Sequence, residues 1–298
     1  MRLKQNLIPV AIMLAAIAAV SLALVQHAVF ASPAAQNPDT IPAEQSTAMA
    51  KTLVQQMIAA LGGDAYLHMR DSDCTGRLTQ FGQLTGELGG FADFHSYWIF
   101  PDKYRREVTS RQPMPIPIIG SIGDISKTGH LIDVFNGDQG WTLEKGGVSD
   151  EDAATIAAFQ AGLKISFETL VRRRLSESDL EYRYRGEDVV DLKQSDWVEI
   201  TDTDQHAFRI AVDRGTHLPV RYVVISMDPN TGEQSQETTI YSNWHVIDGI
   251  ETPFDISREH DNRRVTQNFY YGCKYNTGLS PELFTKASLK GHPKIKSK

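Results

Sequence analysis

Two periodicities divide the chain. Between Ala50 and Leu61 the apolar residues Ala50, Leu53, Val54, Met57, Ile58 and Leu61 recur at helical spacing, and Gly62-Gly63 stand where a helix C-cap belongs. From about Asp73 the period falls to two, with β-branched and aromatic residues between glycine-containing turns, which predicts strands over 74–81, 84–100, 104–110, 130–135 and 140–144. Helical spacing returns over 150–175. Its apolar stripe is Ile156, Phe159, Leu163, Phe167, Leu170 and Val171, its first acids (Asp150, Glu151, Asp152) suit the positive end of the helix dipole, and Gly162 is placed to kink or divide it. Alternation then resumes over 181–192, 195–202, 207–213, 219–227, 237–246, 250–258 and 264–271. Within it, "YSNWHVIDGIETPF" (241–254) reads as one hairpin. A two-residue Asp248-Gly249 turn pairs Ile247 with Ile250, His245 with Thr252, Asn243 with Phe254 and Tyr241 with Ile256.

Many strands joined by short turns imply a large antiparallel meander, and two amphipathic helices must cover one of its faces. No fixed-period repeat and no βαβ alternation is present, so a single α+β domain over 46–290 is the economical reading. Residues 32–45 are Pro- and Ala-rich and read as a linker, and 291–298 as a polar tail. "RQPMPIPIIGSIG" (111–123) holds too many prolines for a strand interior and too many apolar residues for an ordinary loop. It is expected either to form a flap over one face of the sheet or to pack on the exterior.

The N-terminus changes the compartment. Arg2 and Lys4, the apolar run from Leu7 to Val25 and the small-residue pattern before Ser32 make residues 1–31 a signal peptide. The run approaches the ~20 residues that span a bilayer, so an uncleaved inner-membrane anchor is the alternative. Either way the chain is expected in the periplasm or cell envelope. There, Cys74 and Cys273, the only two cysteines among 298 residues, are expected to form one disulfide rather than remain as two free buried thiols. Thirty basic against 37 acidic residues, a formal charge of −7, argue against a nucleic-acid partner.

Motifs for chemistry are scarce. The sequence has no phosphate-binding glycine motif, no G-x-S-x-G elbow and no H-E-x-x-H, so no cofactor, metal or catalytic residue is assigned. His245 and His95 read as structural or surface residues, and the acid pairs Asp71/Asp73 and Asp202/Asp204 as turn residues at strand ends. What stands out is apolar: "FADFHSYWIF" (91–100) crowds five aromatic side chains into one strand. Alternation puts Phe94, Ser96 and Trp98 on one face and His95, Tyr97 and Ile99 on the other. Such a strand lies in an ordinary core or lines a cavity for an apolar ligand.

A series of segments in order along the chain, "ALGGDAYL", "FPDKYRRE", "FNGDQGW", "DRGTHLPVRY", "YSNWHVIDGIETPF" and "YNTGLSPELF", resembles the periplasmic lipoprotein-carrier superfamily and its relatives among outer-membrane lipoprotein-sorting proteins. The resemblance implies an unclosed antiparallel barrel of roughly eleven strands with helices covering its mouth. It also implies a non-enzymatic carrier of an apolar or acylated ligand held between sheet and helices, in contact with a membrane surface or envelope proteins. Candidate wall residues are Phe94, Trp98 and Trp141 on strands, with Ile156, Phe159, Leu163 and Phe167 on the covering helix. The rival readings are an envelope scaffold with a filled core, and a hydrolase whose carboxylates converge only in three dimensions.

Overall fold

The computed structural model describes residues 37–82, 85–110, 130–144, 147–227 and 231–290. The signal-peptide or anchor segment 1–31, the Pro-rich segment 111–123 and the tail 291–298 lie outside the described residues. Among the described residues, thirteen strands form one sheet. They are β1 (Asp71–Phe81), β2 (Leu88–Ile99), β3 (Lys103–Thr109), β4 (His130–Asn136), β5 (Gln139–Glu144), β6 (Gly147–Asp150) and β7 (Glu181–Val190). The others are β8 (Lys193–Thr201), β9 (Ala207–Asp213), β10 (Pro219–Met227), β11 (Gln234–Ile247), β12 (Ile250–His260) and β13 (Arg263–Tyr275). Their spatial order is β6-β5-β4-β3-β2-β1-β13-β12-β11-β10-β9-β8-β7, antiparallel throughout. The edge strands β6 and β7 do not pair with each other, so the sheet is unclosed. Roughly eleven strands become thirteen. One of the additional strands is β6, four residues that the alternation could not separate from the helix start predicted at Asp150.

Two meanders therefore grow in opposite directions from a seam between the first and last strands. At that seam Cys74 faces Cys273, and the two form a disulfide across 199 residues of sequence.

All helices except those of the C-terminal segment lie on one face of the sheet, here called inner. α1 (Ala43–Leu61) buries Ala50, Leu53, Val54, Met57 and Leu61. It starts inside the stretch 32–45 read as a linker, where Pro38–Thr40 also form a short 3-10 turn. The helix ends as expected at Gly62, which has φ 122° and whose Cβ, if present, would lie 2.5 Å from the Gly249 carbonyl oxygen. Only glycine meets both conditions, so the helix end sits directly on the tip of the 241–254 hairpin. That hairpin turns at Asp248 (φ 52°) and Gly249 (φ 80°). It pairs Ile247 with Ile250, His245 with Thr252 and Tyr241 with Ile256, while Asn243 (φ 55°) leaves the ladder opposite Phe254. Ile250 and Tyr241 then join the main core under the helices.

A four-residue turn, α2 (Asp64–Leu67), follows α1. The second predicted helix is divided. α3 (Ala153–Lys164) is capped by Asp152, which accepts from Thr155 N at 2.7 Å. The break falls at Ile165-Ser166 rather than at Gly162, because Ser166 caps a new start, α4 (Phe167–Thr169), which runs into a π-helical turn, Leu170–Arg174. The chain ends with a 3-10 turn (Pro281–Phe284) and α5 (Lys286–Leu289) on the outer face, where Phe284 and Leu289 bury against Ile132 and Val134. Among the described residues no helix is long and apolar enough to cross a membrane.

Candidate ligand-binding face

The two halves of the inner face differ. Over β7–β12 it is closed by side chains: Val198, Ile200, Phe208, Ile210, Tyr222 and Tyr241 pack against α1, α4 and the π-helical turn in one cluster. Phe167 belongs to that cluster, fully packed, with its ring 5.4 Å from Tyr222 and 5.5 Å from Tyr241.

Over β2–β5 strand register builds three parallel rows on the inner face. The first is aromatic: Trp98 faces Tyr104, which faces Phe135. Trp98 meets Tyr104 edge-on at 5.8 Å, and Phe159 reaches down from α3 to stack on Phe135 at 4.1 Å, 6.2 Å from Tyr104. The second row is polar: Ser96, Arg106, Asp133 and Thr142 are consecutive partners. Arg106 donates to Asp133 at 3.1 Å, and the Thr142 hydroxyl donates to Asp133 at 3.3 Å and also to Glu151. The third row is apolar: Phe94, Val108 and Leu131, backed by Leu78, Ala92 and Tyr270. Phe94 meets Tyr270 edge-on at 5.3 Å. Its ring lies over Gly76, where a Cβ would come within 2.7 Å of it.

Electrostatics follow burial. Asp133 is buried, and desolvation pushes its carboxyl above the usual range although Arg106 and Thr142 pull the other way. Burial also raises Glu151, against the Thr142 hydrogen bond. The Tyr270 phenol is pushed up by burial. A buried ion pair flanked by two apolar rows stabilises little, because desolvation consumes most of its attraction. It bridges facing residues of β3 and β4.

The predicted wall residues thus separate. Phe94, Trp98 and Phe159 come to the inner face of one half. Trp98 and Phe159 are joined through Tyr104 and Phe135, whereas Phe94 is buried in the separate apolar row against Tyr270. Ile156 and Leu163 are half-buried on the same stripe of α3, a helix without a single fully buried residue. Trp141 is on the other side of the sheet. It pairs with Val134 and packs with Tyr97, Ile99, Phe284 and Leu289 on the outer face, so it corrects the expected grouping with Trp98. The reason is register: within β4 and β5, Phe135 and Thr142 take the inward positions. Tyr104, Phe135 and Tyr270 were not singled out from sequence, although the alternation Tyr104-Arg106-Val108 and the motif carrying Phe135 held the signal.

Groups considered for catalysis have structural partners. Asp71 accepts from Thr277 N (2.7 Å), Thr277 Oγ1 (2.9 Å) and Gly278 N (3.0 Å), holding the chain after β13. On the outer face His95 Nε2 lies 2.6 Å from Asp73, and the Tyr97 hydroxyl 2.9 Å from His95 Nδ1. Burial, then Glu107 and Asp73, push Tyr97 up to about 12, so its phenol stays protonated. His245 is exposed against Phe254. Asp202, Asp204 and His206 come close enough to suggest a metal, but Asp202 already accepts from Arg174 Nη2 (3.0 Å) and His206 N (2.9 Å), and Lys164 pairs with Asp204.

Burial works to raise the Asp202 carboxyl, but the hydrogen bonds from His206 and Arg174 outweigh it and hold the group below the usual carboxylate range. A depressed folded pKa contributes stability above the unfolded pKa of about 3.9 and loses it as pH falls through the folded value. The gap in thermal midpoint between wild type and Asp202→Asn is therefore expected to be widest at neutral pH and to shrink below about pH 4. A gap that stays constant from pH 7 to pH 3 would contradict this account.

No family model matches the chain, and no curated protein matches it. Several solved structures are similar to it in part. One is a DUF1329 family protein from Desulfovibrio piger, 16% identical over 80% of this chain and 98% of that one, with a TM-score of 0.49. Another is a putative outer membrane lipoprotein-sorting protein domain from Vibrio parahaemolyticus, 12% identical over 84% of this chain and 100% of that one, TM-score 0.47. A third is a LolA superfamily protein from Nitrosomonas europaea, 13% identical over 80% of this chain and 99% of that one, TM-score 0.47.

Proposed function

We propose that the chain is a non-enzymatic carrier or binder of a lipid-like ligand in the cell envelope, with the ligand held between the inner face of β2–β5 and α3. One observation carries this reading: Trp98, Tyr104 and Phe159 stay half-buried around a helix that buries none of its own residues, while the other half of the same face is packed shut. Half-exposed aromatic rings in a row are a surface that gains by being covered. An acyl chain laid there would gain ~0.8 kcal/mol per buried CH₂, on the order of 10 kcal/mol for a dozen before association costs. Mass spectrometry of an organic extract of natively purified protein tests the reading directly. A co-purifying amphiphile in near-stoichiometric amount is expected, and repeated ligand-free extracts would sink it.

A variant separates wall from core. Phe159→Ser is expected to lower the thermal midpoint by only a few degrees, on the order of 1 kcal/mol, while retained lipid falls several-fold. A large loss of stability in a wild type that carries no lipid would favour the second reading, an envelope scaffold. That reading draws support from the filled half of the inner face, where Phe167 is plain core.

A further inference from the structure

The aromatic row does not stop at Trp98. Trp98 stacks on Phe100 at 4.4 Å, and the Arg172 guanidinium lies over the other neighbour in line, the Phe100 ring, at 4.0 Å. Phe159, Phe135, Tyr104, Trp98 and Phe100 therefore form a continuous track from α3 to the π-helical turn. The track ends in a cleft of about 480 Å³ at the rim of the sheet, between the chain entering β1, the turn after β2 and the helical segment 167–174. Three arginines are among its lining residues, Arg70, Arg172 and Arg173, against one acidic residue, Glu168. Arg70 and Arg173 are exposed, and among the described residues none of the three arginines stands in a salt bridge. Arg172 donates to the Met69 carbonyl, but its Nε is buried without a partner. Burial works against the Arg172 charge, so an anion in the cleft would recover part of that cost.

We propose that this cleft takes the anionic head group, a carboxylate or a phosphate, of an amphiphile whose chain lies along the aromatic track. The proposal rests on the carrier reading above and adds to it the class of ligand and the polarity of its binding. Guanidinium groups suit both anions, since their forked donors match paired oxygens. The cleft then decides which end of the ligand stays at the rim, and the apolar end runs inward toward Phe135 and α3.

The test uses the full chain and titration calorimetry with four probes: dodecanoate, dodecyl phosphate, dodecanol and inorganic phosphate. The two anionic amphiphiles are expected to bind wild type about tenfold more tightly than dodecanol, with the difference eroded by added salt. In Arg70→Gln/Arg173→Gln, two exposed positions whose side chains make no hydrogen bond or salt bridge among the described residues, both should fall to the dodecanol level. Equal binding of all three amphiphiles by both proteins would overturn the head-group site while leaving the carrier reading intact. Binding of inorganic phosphate alone, lost in the double variant, would make the cleft a small-anion site and overturn both. Binding of none of the four would also overturn both.

Discussion

Replacing Cys74 and Cys273 together with alanine is expected to remove about 5 kcal/mol of stability, the chain-entropy value for a bridge closing a loop of this length and an upper estimate. The bridge joins positions 199 residues apart. It sits in the middle of the sheet, at the seam where β1 pairs β13 and the two meanders meet. Without it, the long closure must be made by strand pairing and packing alone. Urea unfolding of wild type and of Cys74→Ala/Cys273→Ala measures the difference, and reduced wild type should match the variant. Alanine rather than serine is the substitution, because both positions are buried and a hydroxyl there would need a partner. A shift under about 1 kcal/mol would mean that the unfolded chain already holds the seam together.

Arg105→Ala is expected to cost about 3–5 kcal/mol, the range for removing one partner of a buried ion pair. Arg105 is 1% exposed on the outer face. Its Nε donates to Glu107 at 2.8 Å, and its Nη1 donates to the Leu283 carbonyl at 3.2 Å and the Ser288 hydroxyl at 3.0 Å. One guanidinium thus ties the C-terminal turn and α5 to β3. Alanine leaves a cavity and a carboxylate without its cation, and the Leu283 carbonyl keeps only the Ser288 hydroxyl as a donor, at 2.9 Å. Thermal unfolding reports the loss of stability, and limited proteolysis reports where it acts. Cleavage should appear first after residue 275, while the core under α1 stays protected. A variant with the wild-type midpoint and an uncut C-terminus would show that Phe284 and Leu289 hold the segment by themselves.

Neither Arg105 nor the inner-face rows were legible in sequence. In "KYRREVT" the alternation separates Tyr104, Arg106 and Val108 from Arg105 and Glu107, but it assigns neither set to the helices. Both sets prove at least half-buried, with Arg105 and Val108 fully so, because the C-terminal segment covers one face and α3 approaches the other. The same ambiguity misplaced Trp141. A strand that is covered on both sides shows no polar face to orient it.

Local chemistry, by contrast, was readable because it needs no distant partner. Asp248-Gly249 turns the hairpin where positive φ is required, Gly62 ends α1, and helical spacing marks the buried side of that helix. These follow from backbone sterics and from periods of 2 and 3.6, which the chain carries in any context. The only two cysteines of the chain, Cys74 and Cys273, predicted their own bridge. Tertiary structure alone decided which rings share a face. Trp98, Tyr104, Phe135 and Phe159 come from two neighbouring strands, a third beyond the 111–129 segment and a separate helix, and only strand register and the placing of α3 bring them into one row. Register depends on the pairing of whole strands, where a slip of one residue turns every side chain to the opposite face. No local spacing encodes it.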